Sequence, residues 1–278
     1  MEAIYNKIEV LRKELGKVIV GQEEIIDGLL IGLLVRGGHV LLEGVPGTAK
    51  TLMVKTLAYS IDCNFKRMQF TPDVLPSDVI GTTVYNLQSG NFNVKKGPVF
   101  TNFFLADEIN RTPPKTQSAL LEAMEEGQVT IDGDSMNLSQ PFMVVATQNP
   151  LEYEGTFPLP EAQLDRFFLK LLVTYPTKEE EGKMLERIMC GGNPHDIASY
   201  GVDKVLTGEE IIKIRQVISE ITVSNDLIGY ALDIVTATRN NRNIAVGASP
   251  RGSIALLTSA KAWALLNRRN YIIPDDIK

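Results

Sequence analysis

A short apolar segment that ends in a glycine-rich turn restricts the fold of this chain more than any other feature. The run His39-Val-Leu-Leu-Glu43 leads directly into Gly44-Val-Pro-Gly-Thr-Ala-Lys-Thr51, and a helical pattern follows from Lys50 to about Ile61. A continuous apolar run of this length is typical of a strand buried on both faces, as in parallel sheets covered by helices. The segment therefore predicts a strand–turn–helix unit of an α/β fold.

Further strand and helix patterns alternate along the first 175 residues. Together with 39–43, short strand-like segments at 65–70, 103–107, 142–146 and 167–173 predict a parallel five-stranded sheet. Apolar positions at helical spacing predict helices at 2–15, 22–35 and 113–126, with Gly16 and Gly37-Gly38 as stops for the first two. Residues 129–138 alternate around Asp132-Gly133-Asp134, which predicts a hairpin.

The character of the chain changes after Tyr175-Pro176. Strand patterns largely disappear, and helical patterns cover about 177–190, 207–220, 224–240 and 249–267. We therefore expect an α/β core at 1–175 and a small all-helical lid domain at 176–278, which agrees with a length of 278 residues. The end, Pro274-Asp-Asp-Ile-Lys278, has the pattern of a first helical turn without a continuation, so we expect a chain truncated at its C-terminus.

The bulk composition excludes several classes of protein. With 44% hydrophobic and 22% charged residues, the chain has the composition of an ordinary soluble globular protein. A net charge of −6 argues against a protein devoted to coating nucleic acid. Cys63 and Cys190 lack the spacing of a disulfide framework or a zinc site. Because the start has no signal-peptide layout and the apolar runs are too short to cross a bilayer, we expect a cytoplasmic protein without membrane insertion.

The turn at 44–51 has the residue types that bind nucleotide phosphates. Gly44 and Gly47 allow the backbone to curl so that its N–H groups face the phosphates, and the following helix adds its positive dipole end. We expect Lys50 to reach the β- and γ-phosphates and the Thr51 hydroxyl to ligate Mg²⁺. The rest of the expected nucleotide contact consists of Val45, Pro46, Thr48, Ala49 and Leu52.

Ala49 replaces the glycine that is usual in this motif. Alanine is acceptable there if the residue is already helical, since alanine favours a helix. The alternative for the whole segment is a glycine-rich turn that binds nothing, but the strand before it and the helix after it are the context that the phosphate-binding motif requires.

Two carboxylates follow the apolar segment Phe103-Phe-Leu-Ala at positions Asp107 and Glu108. We expect Asp107 to contact Mg²⁺, largely through water, and Glu108 to orient and deprotonate an attacking water. Taken alone, the pattern also fits a strand followed by an acidic helix cap. Together with the phosphate loop it predicts an ATPase that uses ATP and Mg²⁺.

Long segments of the chain, from about Val18 to the end, resemble the MoxR group of AAA+ ATPases, a branch with an insert in helix 2. The alanine at position 49 is itself typical of that group's phosphate loop. The other matching segments are Leu105-Ala-Asp-Glu-Ile-Asn-Arg111 and Pro113–Met124 (Walker B), Ala146-Thr-Gln-Asn-Pro150 (sensor 1), Pro158–Phe167 (before the last core strand) and Gly247-Ala-Ser-Pro-Arg251 (sensor 2).

The resemblance implies roles for three further residues. Asn149 would position the attacking water, Arg166 would reach the γ-phosphate of a neighbouring subunit, and Arg251 would carry the nucleotide state into lid movement. Without the resemblance, Asn149 is equally a turn residue before Pro150. Arg166 would then form a surface ion pair with Asp165 or Glu161, and Arg251 would be an ordinary first-turn residue.

Other positions are assigned by the resemblance alone. Gly21 and Gln22, in the segment Val20-Gly-Gln, would lie against adenine; otherwise this segment is a plain helix N-terminus. Arg111 and Arg242 are additional candidates for a subunit interface.

Residues 83–97 and 129–138 resemble two inserts that project into the central channel of related ring-shaped motors. The tip of the second, Asp132-Gly-Asp-Ser135, is acidic, whereas a loop that grips phosphates needs lysine or arginine. Lys95-Lys96 on the first insert is a weak basic footprint. The alternative is a pair of surface hairpins.

The resemblance implies a ring, expected to be a hexamer, that hydrolyses ATP to remodel or mature other proteins. Such chaperone-like proteins act with partners that carry a von Willebrand factor type A domain and take part in metal or cofactor insertion. A nucleic-acid motor is an alternative, which the net charge and the acidic hairpin tip disfavour. A monomeric P-loop switch is another, which Arg166 and the helical second domain disfavour.

Overall fold

The computed structural model describes residues 1–88, 90–150 and 155–278. The strands are β1 (Val40–Gly44), β2 (Phe65–Gln69), β3 (Gly81–Asn86), β4 (Asn91–Lys96), β5 (Phe103–Asp107), β6 (Gln128–Ile131), β7 (Asp134–Asn137), β8 (Met143–Gln148) and β9 (Leu169–Val173). The α-helices are α1 (Glu2–Val18), α2 (Glu23–Leu34), α3 (Lys50–Ser60), α4 (Pro76–Ile80), α5 (Pro114–Glu126), α6 (Glu161–Leu164), α7 (Lys178–Met189), α8 (Gly208–Ser219), α9 (Asn225–Asn240), α10 (Pro250–Leu266) and α11 (Pro274–Ile277).

Five strands form one parallel sheet in the order β2-β5-β8-β1-β9, as the apolar segments predict. Because all five strands run in the same direction, their carboxyl ends form one edge of the sheet, here called the carboxyl edge. Their amino ends form the opposite, amino edge. Residues that follow β1, β5 and β8 therefore meet at the carboxyl edge, where ligands bind in open α/β sheets.

The sheet is buried on both faces. Alternate residues of β1 point to opposite sides, so Val40 and Leu42 pack into one apolar cluster while Leu41 packs into the other. The first cluster contains α1, α2 and α3, and the second is covered by α5 and the hairpin β6–β7. This two-sided burial explains why β5 consists entirely of buried residues.

The part of the chain after β9 is helical, as predicted, and in the described residues no further strand of the sheet follows Val173. Helices α8 and α10 pack against α2, and their buried residues, such as Ile211 and Ala260, belong to the same apolar cluster as α1 and α2. We propose the boundary of the lid domain at 175/176, where the sheet ends, although the core cluster continues across it.

Two glycines near the N-terminus have different effects on the helices. Gly16 was expected to end the first helix, but α1 continues to Val18, whose side chain is buried in the core. Burial of an apolar residue outweighs the cost of about 1 kcal/mol for one helical glycine. Gly38 lies just beyond α2, and a Cβ there would meet the carbonyl oxygen of Gly32 at 1.9 Å. The predicted end of α2 before Gly37-Gly38 is therefore correct. Glycine is needed at position 38 because its backbone lies so close to that of Gly32.

The two predicted inserts are both hairpins. β3 and β4 pair with Thr83 opposite Val94, and β6 and β7 pair with Val129 opposite Met136. β3 contacts β6, so the hairpins lie side by side.

Candidate active site

The phosphate loop connects the end of β1 at the carboxyl edge to α3. Gly44 packs so closely on β9 that a Cβ there would lie 2.3 Å from the carbonyl oxygen of Val173. Gly47, with φ +84°, adopts a backbone conformation that favours glycine, and it has open space on its Cβ side. Gly44 thus lets the loop pack closely on β9, and Gly47 lets it turn while leaving open space beside it.

Ala49 was expected to be acceptable as a helical residue, but it adopts the left-handed conformation, with φ 60° and ψ 20°. α3 begins one residue later, at Lys50. A non-glycine residue in this region carries a cost of about 1–2 kcal/mol, which explains why glycine is usual at this position of the motif.

The Lys50 ammonium lies across the loop. It donates hydrogen bonds to the carbonyl oxygen of Gly44 and, at 3.0 Å, to that of Val45. Partial burial lowers the pKa of Lys50, while the nearby carboxylates of Asp107 and Glu108 act in the opposite direction. A half-buried cation whose hydrogen-bond partners are two neutral carbonyls is well suited to phosphate oxygens, which form stronger, charge-assisted bonds.

The residues expected to bind Mg²⁺ lie close together. The Thr51 hydroxyl is 3.4 Å from Oδ2 of Asp107, although the two residues belong to different elements. The Thr147 hydroxyl donates to Oδ1 of Asp107 at 2.5 Å and thereby orients the carboxylate. A hydroxyl and a carboxylate are the oxygen ligands that Mg²⁺ prefers, so the residues present fit this ion.

Arg67 on β2 also contacts Asp107, and the sequence did not single it out. Its Nε and one terminal nitrogen donate to Oδ2 of Asp107 at 3.0 and 2.6 Å. The same guanidinium donates to the side-chain oxygen of Gln69 at 3.0 Å. The strand pairing of β2 with β5 places Gln69 opposite Asp107. Arg67 is two residues before Gln69 on β2, so both side chains lie on the same side of the sheet.

Glu108 immediately precedes a short 3-10 helix, Ile109–Arg111, and itself adopts the left-handed conformation, with φ 57°. Its carboxylate accepts a hydrogen bond from the Gln69 amide at 2.7 Å and lies 3.0 Å from Nε of Arg111. Its backbone N–H donates to the Thr147 hydroxyl at 2.9 Å. Backbone strain of this kind persists where surrounding contacts hold the residue in place, a common property of functional sites. Arg111, expected at a subunit interface, thus lies beside Glu108.

Asn149 follows β8 and is buried, with 7% of its surface exposed. β8 lies between β1 and β5, so Asn149 is at the carboxyl edge between the phosphate loop and Asp107.

A mostly apolar cavity of about 330 Å³ lies beside the phosphate loop. Gln22 lines it, and its side-chain amide donates to the carbonyl oxygen of Thr174 at 3.2 Å. Gly21 lies at an adjoining cavity instead, and a Cβ on Gly21 would lie 2.2 Å from a carboxylate oxygen of Glu180. The remaining lining residues come from the segment before α2, from the phosphate loop and from the helical part: Val18, Ile19, Val20, Pro46, Gly47, Thr48, Ala49, Leu52, Met53, Tyr175, Pro176, Glu180, Glu181, Met184, Arg187, Ile188, Pro194 and Tyr200.

Arg166 and Arg251 lie together, away from the phosphate loop. Both guanidinium groups form ion pairs with the Glu125 carboxylate, Arg166 at 3.3 Å. The sequence suggested Asp165 or Glu161 as the ion-pair partner of Arg166, but the partner is Glu125. Asp165 instead accepts hydrogen bonds from the Ser249 hydroxyl at 2.8 and 3.1 Å.

The arginine pair is at the amino edge of the sheet. Arg166 precedes β9, whose first residue pairs with Val40 at the start of β1, whereas Gly44 pairs with the last residue of β9. The end of α5 is at the same edge, because the carbonyl oxygen of Met124 contacts the ring of His39, just before β1. The length of β1, about 13 Å, therefore separates the two arginines from the phosphate loop of their own chain. Arg242 is exposed in the segment after α9.

No helix of the described ranges is both long enough and apolar enough to cross a membrane.

Comparisons with known proteins agree with this architecture. Residues 39–169 match the ATPase family associated with various cellular activities (AAA), and residues 236–278 match the AAA lid domain. A crystal structure from Cytophaga hutchinsonii, described as a candidate ATPase, superposes with a TM-score of 0.88 at 50% identity, over 99% of this chain and 84% of that one.

Two relatives align over almost the whole chain. The uncharacterized protein YeaC of Bacillus subtilis is 50% identical over 96% of this chain and 81% of its own length. The chaperone MoxR1 of Mycobacterium tuberculosis is 43% identical over 95% of this chain and 70% of its own length. The fold, the phosphate loop and these alignments together show that the chain belongs to the MoxR family of AAA+ ATPases.

Proposed function

We propose that this protein hydrolyses ATP to ADP and phosphate at a site that two subunits of a ring complete together. One observation carries the proposal: the residues suited to ATP and its metal lie at the carboxyl edge, while Arg166 and Arg251 lie at the amino edge. A chain with these groups at opposite edges offers a phosphate site on one face and two cations on another. A neighbouring copy can bring the two together.

ATP binding is assigned to the phosphate loop and the adjoining cavity. Lys50 exchanges its two carbonyl partners for phosphate oxygens, a stronger interaction for an ammonium group. The apolar cavity receives adenine, with Gln22, Met184 and Tyr200 among its walls. A pocket that combines a mostly apolar lining with a few polar groups is typical of nucleotide sites.

Glu108 is the general base for in-line attack of water on the γ-phosphate. Its carboxylate is at the carboxyl edge, and the contacts from Gln69 and Arg111 hold it there until the nucleotide binds. Asn149 offers an uncharged amide that positions water without repelling it. Thr51 and Asp107 would hold Mg²⁺, which would supply positive charge to neutralise the phosphates.

Arg166 and Arg251 act on the nucleotide of the neighbouring subunit. Each arginine stabilises the negative charge that grows on the phosphate oxygens in the transition state. The sequence predicts for Arg251 a role in lid movement. Its place on α10 beside Arg166 supports a combined role, in which contact with a neighbour's nucleotide moves the helical part of the same chain.

The energy of hydrolysis is used to remodel or mature a partner protein. The name chaperone belongs to the Mycobacterium relative and supports a protein client. We further propose a hexameric ring, a partner with a von Willebrand factor type A domain, and metal or cofactor insertion as one use of the activity. The acidic tip at Asp132 and Asp134 and the net charge of −6 disfavour the alternative of a nucleic-acid motor.

Subunit mixing tests the shared site. We expect Arg166→Ala to lower ATP turnover at least ~100-fold while nucleotide binding to its own loop is unchanged. Addition of Glu108→Gln subunits, which lack the base but carry both arginines, restores turnover at the Arg166→Ala sites. An Arg166→Ala protein that turns over ATP normally excludes the shared site and favours a monomeric switch. Stimulation of turnover by DNA favours the nucleic-acid motor.

A further inference from the structure

Arg166 and Arg251 are joined through one carboxylate, that of Glu125 in the last turn of α5. Arg166 contacts one carboxylate oxygen and Arg251 the other. The two arginines come from different parts of the chain, since one lies between α6 and β9 and the other in the first turn of α10. Glu125 is therefore a bridge between the core and the helical part.

A second polar link lies beside this bridge. The Ser249 hydroxyl, at the start of α10, donates to both oxygens of Asp165. Asp165 precedes Arg166 in the sequence, and Ser249 is two residues before Arg251. This link places the backbones that carry the two arginines next to each other, and Glu125 then sets the positions of their charged ends.

The Glu125 bridge contributes little to the stability of the fold but holds the two guanidinium groups close together. The side chains of Glu125, Arg166 and Arg251 are 36%, 33% and 51% exposed, respectively. Ion pairs this accessible to water contribute little to folding. Two guanidinium groups so close together repel each other, however, and a carboxylate between them offsets that repulsion. Each guanidinium has five N–H donors, so contact with one carboxylate oxygen leaves donors available for another anion.

We propose that Glu125 is a positioning residue that holds Arg166 and Arg251 as one cationic unit for the γ-phosphate of a neighbouring subunit's ATP. This inference rests on the proposed shared site. The guanidinium donors that Glu125 does not use are available to a phosphate while the two arginines stay together. Without the carboxylate the two arginines separate, and the neighbour's nucleotide meets them one at a time.

The substitution Glu125→Gln tests the proposal because it removes the charge and keeps the size of the side chain. Glu126→Gln is the matched control: Glu126 is the next residue on α5, is exposed, and forms no ion pair within the described parts of the chain. We expect Glu125→Gln to lower kcat for ATP at least ~10-fold. This effect is smaller than that expected for Arg166→Ala, which removes one of the two guanidinium groups itself. The control keeps the wild-type kcat. The affinity of the isolated subunit for a fluorescent ATP analogue stays within about two-fold of wild type in both variants, because Glu125 is far from its own phosphate loop.

Subunit mixing separates positioning from a structural defect. Glu125→Gln subunits have an intact phosphate loop and Glu108, so neighbours with intact arginines complete their sites. Addition of Glu108→Gln subunits should therefore raise turnover several-fold above that of Glu125→Gln alone. Glu125→Asp, which keeps the charge but shortens the reach, should give an intermediate kcat.

Three outcomes overturn the role of Glu125. They are a Glu125→Gln variant as active as Glu126→Gln, weaker binding of the ATP analogue by its own subunit, and no recovery on mixing with Glu108→Gln subunits. Arg166→Ala, measured beside them, keeps the two proposals apart. If Arg166→Ala is inactive while Glu125→Gln is fully active, only the role of Glu125 fails. If Arg166→Ala is fully active, the shared site itself fails.

Discussion

Arg67 and Asp107 are paired across β2 and β5, with two nitrogens of the guanidinium on the single oxygen Oδ2. This is the same oxygen that lies 3.4 Å from the Thr51 hydroxyl. The carboxylate suited to magnesium thus already carries a cationic partner. A positive charge this close to a metal ligand disfavours a divalent cation there, since even two unit charges of like sign about 4 Å apart repel by about 4 kcal/mol at an effective dielectric constant of 20.

Arg67→Gln should therefore strengthen the response to Mg²⁺. We expect the Mg²⁺ concentration that half-saturates binding of a fluorescent ATP analogue to fall by about 3- to 10-fold, because solvent screens part of the repulsion. Lys66→Gln, one residue earlier on β2, removes the same charge from a side chain that points to the opposite face of the strand, and it leaves the midpoint unchanged. A higher midpoint in Arg67→Gln contradicts the prediction and indicates that Arg67 instead orients Asp107 for the ion.

Glu108→Gln should separate binding from hydrolysis. The amide keeps the size of the side chain but cannot accept the proton of an attacking water, so turnover falls at least ~100-fold. The phosphate loop and Asp107 are unaltered, and affinity for ATP stays within about three-fold of wild type. Single-turnover measurement of phosphate release, beside equilibrium binding, checks both parts. Loss of affinity equal to the loss of turnover assigns Glu108 to binding instead of catalysis.

The cavity beside the phosphate loop gives a prediction on affinity alone. Met184→Ala removes apolar surface from its wall, and the loss of about 1–2 kcal/mol of burial weakens ATP and ADP binding by about 10-fold. kcat at saturating ATP is unchanged, because the substitution alters none of the groups assigned to the chemical step. Leu185→Ala is the matched control, since Leu185 is the next residue on α7, is 50% exposed and does not line the cavity. Equal effects of the two substitutions contradict the assignment of adenine to this cavity.

Local sequence patterns predicted the parts of the molecule that depend on neighbouring residues. The phosphate loop was recognisable because Lys50 and Thr51 follow a strand and open a helix within a few residues. Asp107 ends one apolar segment that the sequence predicts as a strand, Asn149 comes shortly after another, and both residues lie at the carboxyl edge of the sheet. The five strands of that sheet were each visible as a short segment of their own.

Contacts between distant segments were not predictable in this way. Arg67 and Gln69 lie in a short strand with no motif, and only the pairing of β2 with β5 brings them to Asp107 and Glu108. The partner of Arg166 is Glu125, 41 positions earlier in the sequence, whereas sequence proximity favoured Asp165. Met184 joins the candidate adenine cavity because α7 packs beside the loop, a relation that helical spacing does not contain.

The buried ring of His39 links stability to pH. The backbone N–H of Val144 donates to Nδ1 at 3.0 Å, so the proton of the neutral ring is on Nε2, which donates to the carbonyl oxygen of Met124 at 3.0 Å. Complete burial lowers the pKa of His39 from 6.5 to about 4. In the unfolded chain the ring takes up a proton below pH 6.5, but in the folded chain it stays neutral until about pH 4. The contribution of the neutral His39 ring to stability is therefore fully present above about pH 6.5 and is lost progressively as the pH falls from 6.5 toward 4.

At pH 5 this one ring should lower the free energy of unfolding by about 2 kcal/mol relative to pH 7. Urea titrations of the wild type, His39→Gln and His195→Gln at the two pH values measure the effect. His39→Gln lacks the titrating ring, so its own loss between pH 7 and pH 5 should be smaller than that of the wild type by about the same 2 kcal/mol. His195 is exposed, and its replacement should leave the wild-type pH dependence intact. If wild type and His39→Gln lose equal stability between pH 7 and pH 5, the acid sensitivity of the fold comes from other groups, and the ring has nearly the same pKa in the folded and the unfolded chain.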